Sequence, residues 1–325
     1  MEGIILAPSA RRMFTYDITH YTRQIFQSSS GEEGEQCQSL LSFIMTDDLV
    51  WLEPQTPKEI IEELKDDYKI EYLYPLYSGG QDSGSVVDFV HKNYPEMVKK
   101  TVFTCTGIGS PMTREFAVEY AKEKGWELEF TWARKPYWDI VKEVGFRGMG
   151  GHRILMGYLK FQSWYYYMRP KLKAGEKAAF VSGVRKSESM ARSKIKFYSK
   201  TPIDKNATLT FVKPFLYKNG TQLQEYMIKE GVKKSPAYEF FNKSGECWCG
   251  AQSHAWELKM LEAHDPFIFN TIKWYEKQLQ IVGSPEAKRH PHWGQSVGAE
   301  NAVQQTTFGD FEINEDYCGE SCGVS

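Results

Sequence analysis

Ser78-Gly79-Gly80-Gln81-Asp82-Ser83 brings together, in six residues, the groups that a phosphate chain needs. Two glycines without Cβ atoms let backbone N–H groups approach an anion, and the hydroxyl of Ser83 or Ser85 adds a donor at the positive end of a helix dipole. The chemistry this predicts is the holding of a nucleotide's phosphates. Asp82 is placed to cap the helix or to help hold Mg2+, and capping is the commoner role for Asp at a helix start. Neither the Gly-x-x-x-x-Gly-Lys-Ser/Thr spacing nor Gly-x-Gly-x-x-Gly is present.

Two further groups of residues could do chemistry. Arg185 and Arg192 are seven apart, which on a helix puts both on one face, and guanidinium forks suit phosphate or sulfate oxygens; in a loop that spacing carries no meaning. The six cysteines are at 37, 105, 247, 249, 318 and 322, and the close pairs Cys247-Trp248-Cys249 and Cys318-Gly319-Glu320-Ser321-Cys322 point to metal or redox chemistry in a reducing compartment. Four thiolates from Cys247, Cys249, Cys318 and Cys322 would suit a four-iron four-sulfur cluster or, as second choice, tetrahedral zinc. His254, His264, His290 and His292 make no convincing ligand set, and Trp164 to Tyr167 read as core and rim packing.

These groups need elements to position them. The apolar run Ile70 to Tyr77 before the glycines reads as a strand, and Val86 to His91 after them as a helix. Strands follow at Val98 to Cys105, Glu127 to Trp132, Ala178 to Val184 and Leu209 to Leu216, with helices at Pro111 to Lys124, Arg153 to Arg169 and Gln222 to Lys229. Such alternation predicts an α/β fold, a doubly wound parallel sheet with helices on both faces, binding ligands beyond the carboxyl ends of its strands. Residues 1–66 are expected to form an N-terminal extension, 67–235 the nucleotide-binding domain, and 236–325 a region with helices near Ala255 to His264 and Phe267 to Ile281 and a polar tail. Ser28 to Gln36 reads as a loop or linker.

Composition narrows the partners. A net charge of −2 over 325 residues excludes a broad nucleic-acid footprint, though not a local basic patch. No apolar stretch reaches the roughly 18 to 20 residues of a membrane span, and Glu2 stands where a signal peptide carries basic charge, so a cytoplasmic protein is expected.

Set beside the loop, three later segments resemble the phosphoadenosine phosphosulfate (PAPS) reductase family of the PP-loop (adenine nucleotide alpha hydrolase-like) superfamily. Thr104 to Thr113 is similar to its Asp-Thr-Gly segment, Gly183 to Arg192 to its Gly-x-Arg block, and Phe211 to Tyr238 to its strand, helix and Pro-containing segment. The resemblance implies a nucleotide, ATP with Mg2+ or PAPS, held by Ser78, Gly79, Gly80, Gln81, Asp82, Ser83, Ser85, Thr106, Gly107, Lys160, Gly183, Arg185 and Arg192. Asp82, Ser83 and Arg185 are then the catalytic residues of the loop, and Cys247 and Cys249 fall where iron–sulfur members place a cysteine pair.

The chain departs from that pattern in three places. Cys105 stands where the family usually has Asp, Leu155 where it often has Cys, and the phosphate loop is intact where dedicated phosphosulfate reductases commonly show a degenerate one. The intact loop favours ATP-dependent adenylation and sulfur transfer, with a sulfur donor protein as partner and tRNA or DNA as acceptors not indicated by charge. The alternative is a phosphosulfate reductase in which Cys318 or Cys322 attacks the sulfonyl sulfur and a thioredoxin-like reductant resolves it; Glu315, Asp316 and Glu320 would raise the pKa of such a thiol. A third reading is a nucleotide-binding protein without turnover.

Overall fold

The computed structural model describes residues 55–148, 151–188, 192, 194–203, 207–251 and 253–294. All fall in the compact unit that begins at Gln55.

Six strands form one sheet: β1 (Tyr72–Tyr77), β2 (Thr101–Cys105), β3 (Leu128–Trp132), β4 (Ala178–Val181), β5 (Tyr198–Pro202) and β6 (Thr208–Val212). Their order is β3-β2-β1-β4-β6-β5, with every pairing parallel except β5 against β6. The expected doubly wound α/β sheet is therefore present, with one antiparallel edge strand, β5, that has no counterpart among the expected strands. Its signal is weak because Tyr-Ser-Lys-Thr-Pro buries Ser199 and Thr201 and leaves no apolar run to recognise. Pro202 ends the strand at the sheet edge, where a missing N–H is tolerated. The strand expected to run to Leu216 stops at Val212, and Lys213, fully buried, turns its ammonium 3.2 Å from Ser199 Oγ.

Helices cover both faces. Helix α1 (Pro57–Tyr68) spans the expected boundary at 66 and is opened by a capping box between Thr56 and Glu59. It buries Ile60, Ile61 and Leu64 in a cluster with Leu73 of β1, Val212 of β6 and Phe215, so it is part of this core. Helices α2 (Gln81–Asn93) and α3 (Pro111–Lys124) follow β1 and β2, and α4 (Tyr137–Val144) follows β3. The single helix expected over 153–169 is three pieces: α5 (His152–Met156), a π-helical turn Gly157–Phe161, and α6 (Gln162–Lys173). Then come α7 (Gly220–Glu230), the single turn α8 (Tyr238–Phe241), α9 (Ala255–His264) and α10 (Pro266–Val282). A second core joins Ile108, Tyr137 and Leu155 to Ala237, Trp248, Ile268 and Ile272, which ties residues beyond 235 to the nucleotide-binding half.

Candidate functional site

The order of β2, β1 and β4 puts a topological switch beside β1, because the chain leaves β1 for β2 on one side and returns to β4 on the other. Crevices at such points, beyond the carboxyl ends of the strands, are where open α/β sheets bind ligands. The loop Ser78–Gly80 leaves β1 at this place and runs straight into α2.

Gly79 has φ +72, a left-handed conformation that suits glycine. Gly80 is the N-cap and makes no side-chain cap, so the first N–H groups of α2 carry no capping oxygen from their own cap residue. The loop is braced from within. Ser78 N–H donates to Ser83 Oγ at 3.2 Å, the two hydroxyls are 2.9 Å apart, and Ser83 Oγ donates to Gly80 O. Ser235 N–H holds the Gly79 carbonyl at 2.8 Å. Ser85 is fully buried one turn into the helix and donates to Gln81 O. The Gln81 side chain accepts from Gln224, while its backbone N–H donates to the Tyr238 hydroxyl at 3.4 Å.

The block after β4 closes on this loop. A Cβ at Gly183 would stand 2.7 Å from the Asp82 carbonyl carbon and 2.8 Å from Ser83 N. Asp82 is ion-paired with Arg185 Nε, and both are nearly buried. Arg185 also donates to Ser187 Oγ at 2.9 Å, and its backbone N–H donates to Glu188 at 2.7 Å. Arg192 pairs with Glu188, whose carboxyl is pushed up by burial against the opposing pull of Arg192. Arg185 and Arg192 do not lie on a common helix: the only regular piece described between them is the short turn Lys186–Glu188. Their convergence comes from Glu188, which accepts from both.

Ser78, Asp82, Ser83, Gly183 and Glu188 line a recess of about 500 Å³ whose inner wall is Leu76, Val102, Thr104 and Trp164. Trp164 Nε1 donates to Thr104 Oγ1 at 2.7 Å, which fixes the indole at the wall of the recess. Lys160 enters from the π-turn and is ion-paired with Glu246. Burial opposes its charge, and Glu246 and Cys247 more than offset this, holding the ammonium above its usual pKa. Glu246 was not legible in the sequence; only its place beside Cys247 hinted at it. Insertions of π geometry are frequent at functional sites, and this one carries Lys160.

Thr106, one of the residues expected at the nucleotide, is bonded to the segment Ser244–Trp248, and Gly107 beside it is exposed. Thr106 Oγ1 donates to Glu246 O at 3.1 Å, Ser110 N–H to Gly245 O, and Trp248 N–H to Ile108 O. Cys105 is buried at the end of β2, and burial pushes its thiol up to about 11, so it does not replace a carboxylate electrostatically.

The same Lys160–Glu246 pair borders a second recess lined by His152, Lys243, Ser253, Cys247 and Cys249. The two thiols are hydrogen-bonded; Cys247 is held protonated and Cys249 is lowered, because the first donates to the second. His152 is lowered to about 4 by burial and by Lys160 and Arg192, and is neutral. Among the described residues no group of three or more His, Cys, Asp or Glu is placed to hold a metal ion. Cys318 and Cys322 lie outside the described residues. Of the four cysteines expected to hold a cubane or zinc, Cys247 and Cys249 are the two among the described residues.

The sheet order, the open helix start and the arginine block define a PP-loop protein of nucleotide-binding type. A family model of the phosphoadenosine phosphosulfate reductase domain matches residues 72–244, more than half of the chain, and the chain belongs to that family. Among solved structures it is similar to the phosphoadenylyl-sulfate (PAPS) reductase from Candida auris in a phosphate complex. That likeness has 14% identity and a TM-score of 0.41, over 65% of this chain and 93% of that one. It is also similar to the Candida glabrata FMN adenylyltransferase in complex with FMN and the ATP analog AMPCPP, at 16% identity and a TM-score of 0.40. There the match covers 57% of this chain and 59% of the other. No curated protein matches the sequence. Among the described residues, no helix is long and apolar enough to cross a membrane.

Proposed function

We propose that this chain is an ATP-dependent enzyme that adenylates an acceptor and then passes sulfur to it. The observation that carries the reading is the intact loop Ser78–Ser83, opening into a helix whose cap residue supplies no side-chain bond, with Arg185 anchored on Asp82 at its rim.

ATP would lie with its pyrophosphate on the N–H groups at the start of α2 and its adenosine toward the apolar wall of Leu76, Val102 and Trp164. Mg2+ would arrive with ATP, and Asp82 is the carboxylate at the loop that could reach it. An acceptor oxygen forms a bond to the α-phosphorus as the bond to the bridging oxygen breaks, and that electron pair leaves with pyrophosphate. Catalysis of this kind is positioning plus electrostatic stabilisation of the moving oxygens. Arg185 and Lys160 supply the positive charge, and the serine hydroxyls of the loop supply donors. A sulfur nucleophile delivered by a donor protein then bonds to the activated acceptor carbon, and AMP departs with the electron pair of the broken C–O bond.

Two measurements test this. Calorimetric titration with ATP plus Mg2+ should show binding tighter than with PAPS, and labelled pyrophosphate should exchange into ATP once an acceptor is present. Binding of PAPS in preference to ATP would favour the second reading, a reductase forming sulfite through Cys318 or Cys322. Family membership speaks for that alternative. It requires that Cys318→Ser or Cys322→Ser abolish sulfite formation while nucleotide still binds.

A further inference from the structure

Helix α10 (Pro266–Val282) is apolar on two opposite faces, and only one of them is covered. Ile268, Ile272 and Leu279 are buried in the second core with Trp248. On the other side Phe267 is 64% exposed, Trp274 51% and Ile281 64%, with Val282 beside them at 54%. Phe267, Trp274 and Ile281 follow one another at seven-residue intervals, so they stand in one row along about 21 Å of helix. Trp138 of α4 and Tyr275 brace the Trp274 indole, each with its ring centroid 5.4 Å away. Neither recess is lined by any residue of this helix.

Single exposed apolar residues are ordinary, but a contiguous row marks a contact surface. These four side chains expose on the order of 400 Å² on each copy, the size of patch that is often functional. The charge on the helix narrows what can cover them. Its one carboxylate, Glu276, is nearly buried and accepts from Lys273 at 2.6 Å and from the Trp293 N–H at 2.9 Å. A basic partner finds no acid there, and an acidic one finds Lys273 already paired.

The row is self-complementary instead. In an antiparallel pair of α10 helices centred on Trp274, Phe267 comes opposite Ile281 of a second copy and Trp274 meets its own counterpart. Asn270 then comes level with Lys277, and Thr271 with Gln278, so each ammonium meets an amide oxygen and each hydroxyl an amide. The two Lys277 groups are staggered by about 9 Å along the axis, which keeps like charges apart.

We infer that a second copy of this chain covers the row, in a two-fold pair of antiparallel α10 helices. The same patch serves both copies, so the association closes at two. The apolar rows together bury on the order of 800 Å², and the flanking polar residues bring the total to about the 1,000 Å² at which specific interfaces begin. A reversible dimer that dissociates on dilution is the expected state. The inference is independent of the adenylation reading, because the interface lies outside both recesses.

The test is sedimentation velocity of the full chain, under reducing conditions, over a wide range of concentration. A monomer–dimer equilibrium is expected, and Trp274→Ala should weaken it by at least about thirtyfold, as loss of a central interface tryptophan does. Trp132→Ala, which removes an exposed tryptophan from β3, should leave it unchanged. Thermal melts at the wild-type temperature show that the variants are folded. Cysteine cross-linking reads the register against the wild-type chain under the same mild oxidation. A mixture of Phe267→Cys and Ile281→Cys chains should gain a cross-linked dimer. Phe267→Cys alone should not, because its two copies stand about 21 Å apart and a disulfide needs Cα atoms within about 7 Å. A monomer at every concentration leaves the face to another occupant and overturns the inference. So does a dimer of full affinity in Trp274→Ala, or one in which Phe267→Cys cross-links to itself. ATP calorimetry is unaffected by either result, so failure of this inference and failure of the adenylation reading are seen separately.

Discussion

Gly183 and Asp82 are packed backbone to backbone: a Cβ on the glycine would stand 2.7 Å from the aspartate's carbonyl carbon. The end of β4 is thereby pressed against the start of α2, and the arginine block that follows is held at the phosphate loop. Gly183→Ala should push the two segments apart. A destabilisation of about 1–3 kcal/mol is expected for such overpacking, with a loss of nucleotide affinity larger than the change in melting temperature explains. Calorimetry and thermal melts on one preparation measure both.

Asp82 and Arg185 form a nearly buried ion pair. Removing one partner strands the other charge, so Arg185→Met should cost about 3–5 kcal/mol in denaturant unfolding. The double variant Asp82→Asn with Arg185→Met should recover much of that stability and none of the nucleotide binding. Equal stability of the single and double variants would show that the pair is not coupled in solution.

His91 is lowered to about 4, first by burial and against the pull of Asp88; its ring stacks on Trp126 and its Nε2 meets Thr101 Oγ1 at 2.8 Å. His152 is lowered to the same range. A histidine whose folded pKa lies below its unfolded value stabilises the fold fully above about pH 6.5, and this is lost as pH falls toward 4, because the unfolded chain takes up the proton first. Stability should therefore fall between pH 6.5 and 4 by up to about 1.4 kcal/mol per unit for each histidine. His91→Gln should flatten the profile, as read by urea midpoints across that range.

The Tyr238 hydroxyl receives the Gln81 N–H at the head of α2 and is pushed up to about 12, mainly by burial. It stays protonated at neutral pH and can donate a hydrogen bond to a phosphate oxygen. Tyr238→Phe should leave stability within about 1.5 kcal/mol, the net worth of one hydrogen bond, and should weaken ATP binding. Calorimetric affinity unchanged by the variant would remove this tyrosine from the site.

Cys247 donates to Cys249 and lowers it. Iodoacetamide should therefore label Cys249 before Cys247 near neutral pH, and Cys247→Ala should slow that labelling while Cys247→Ser slows it less. Peptide mass mapping after timed quenching reads the order.

The sequence by itself determined the local features. Loop chemistry, strand and helix alternation and the order of the motifs are written in residue types a few positions apart, and Ser78–Ser83, β1 to β4 and α2 to α3 follow from them. It also singled out Lys160, Arg185 and Arg192, through the resemblance of the segments that carry them. What it could not supply was any contact between segments distant in the chain. Strand β5 carries two buried hydroxyl residues instead of an apolar stripe, so its pairing with β6 shows only once β6 is in place. Glu246 reaches Lys160 across 86 positions, Tyr238 reaches Gln81 across 157, and Gly183 meets Asp82 through the pairing of β4 with β1. Packing decided these, because a short-range pattern fixes which face of an element is buried, and only the close approach of whole elements fixes which side chains meet.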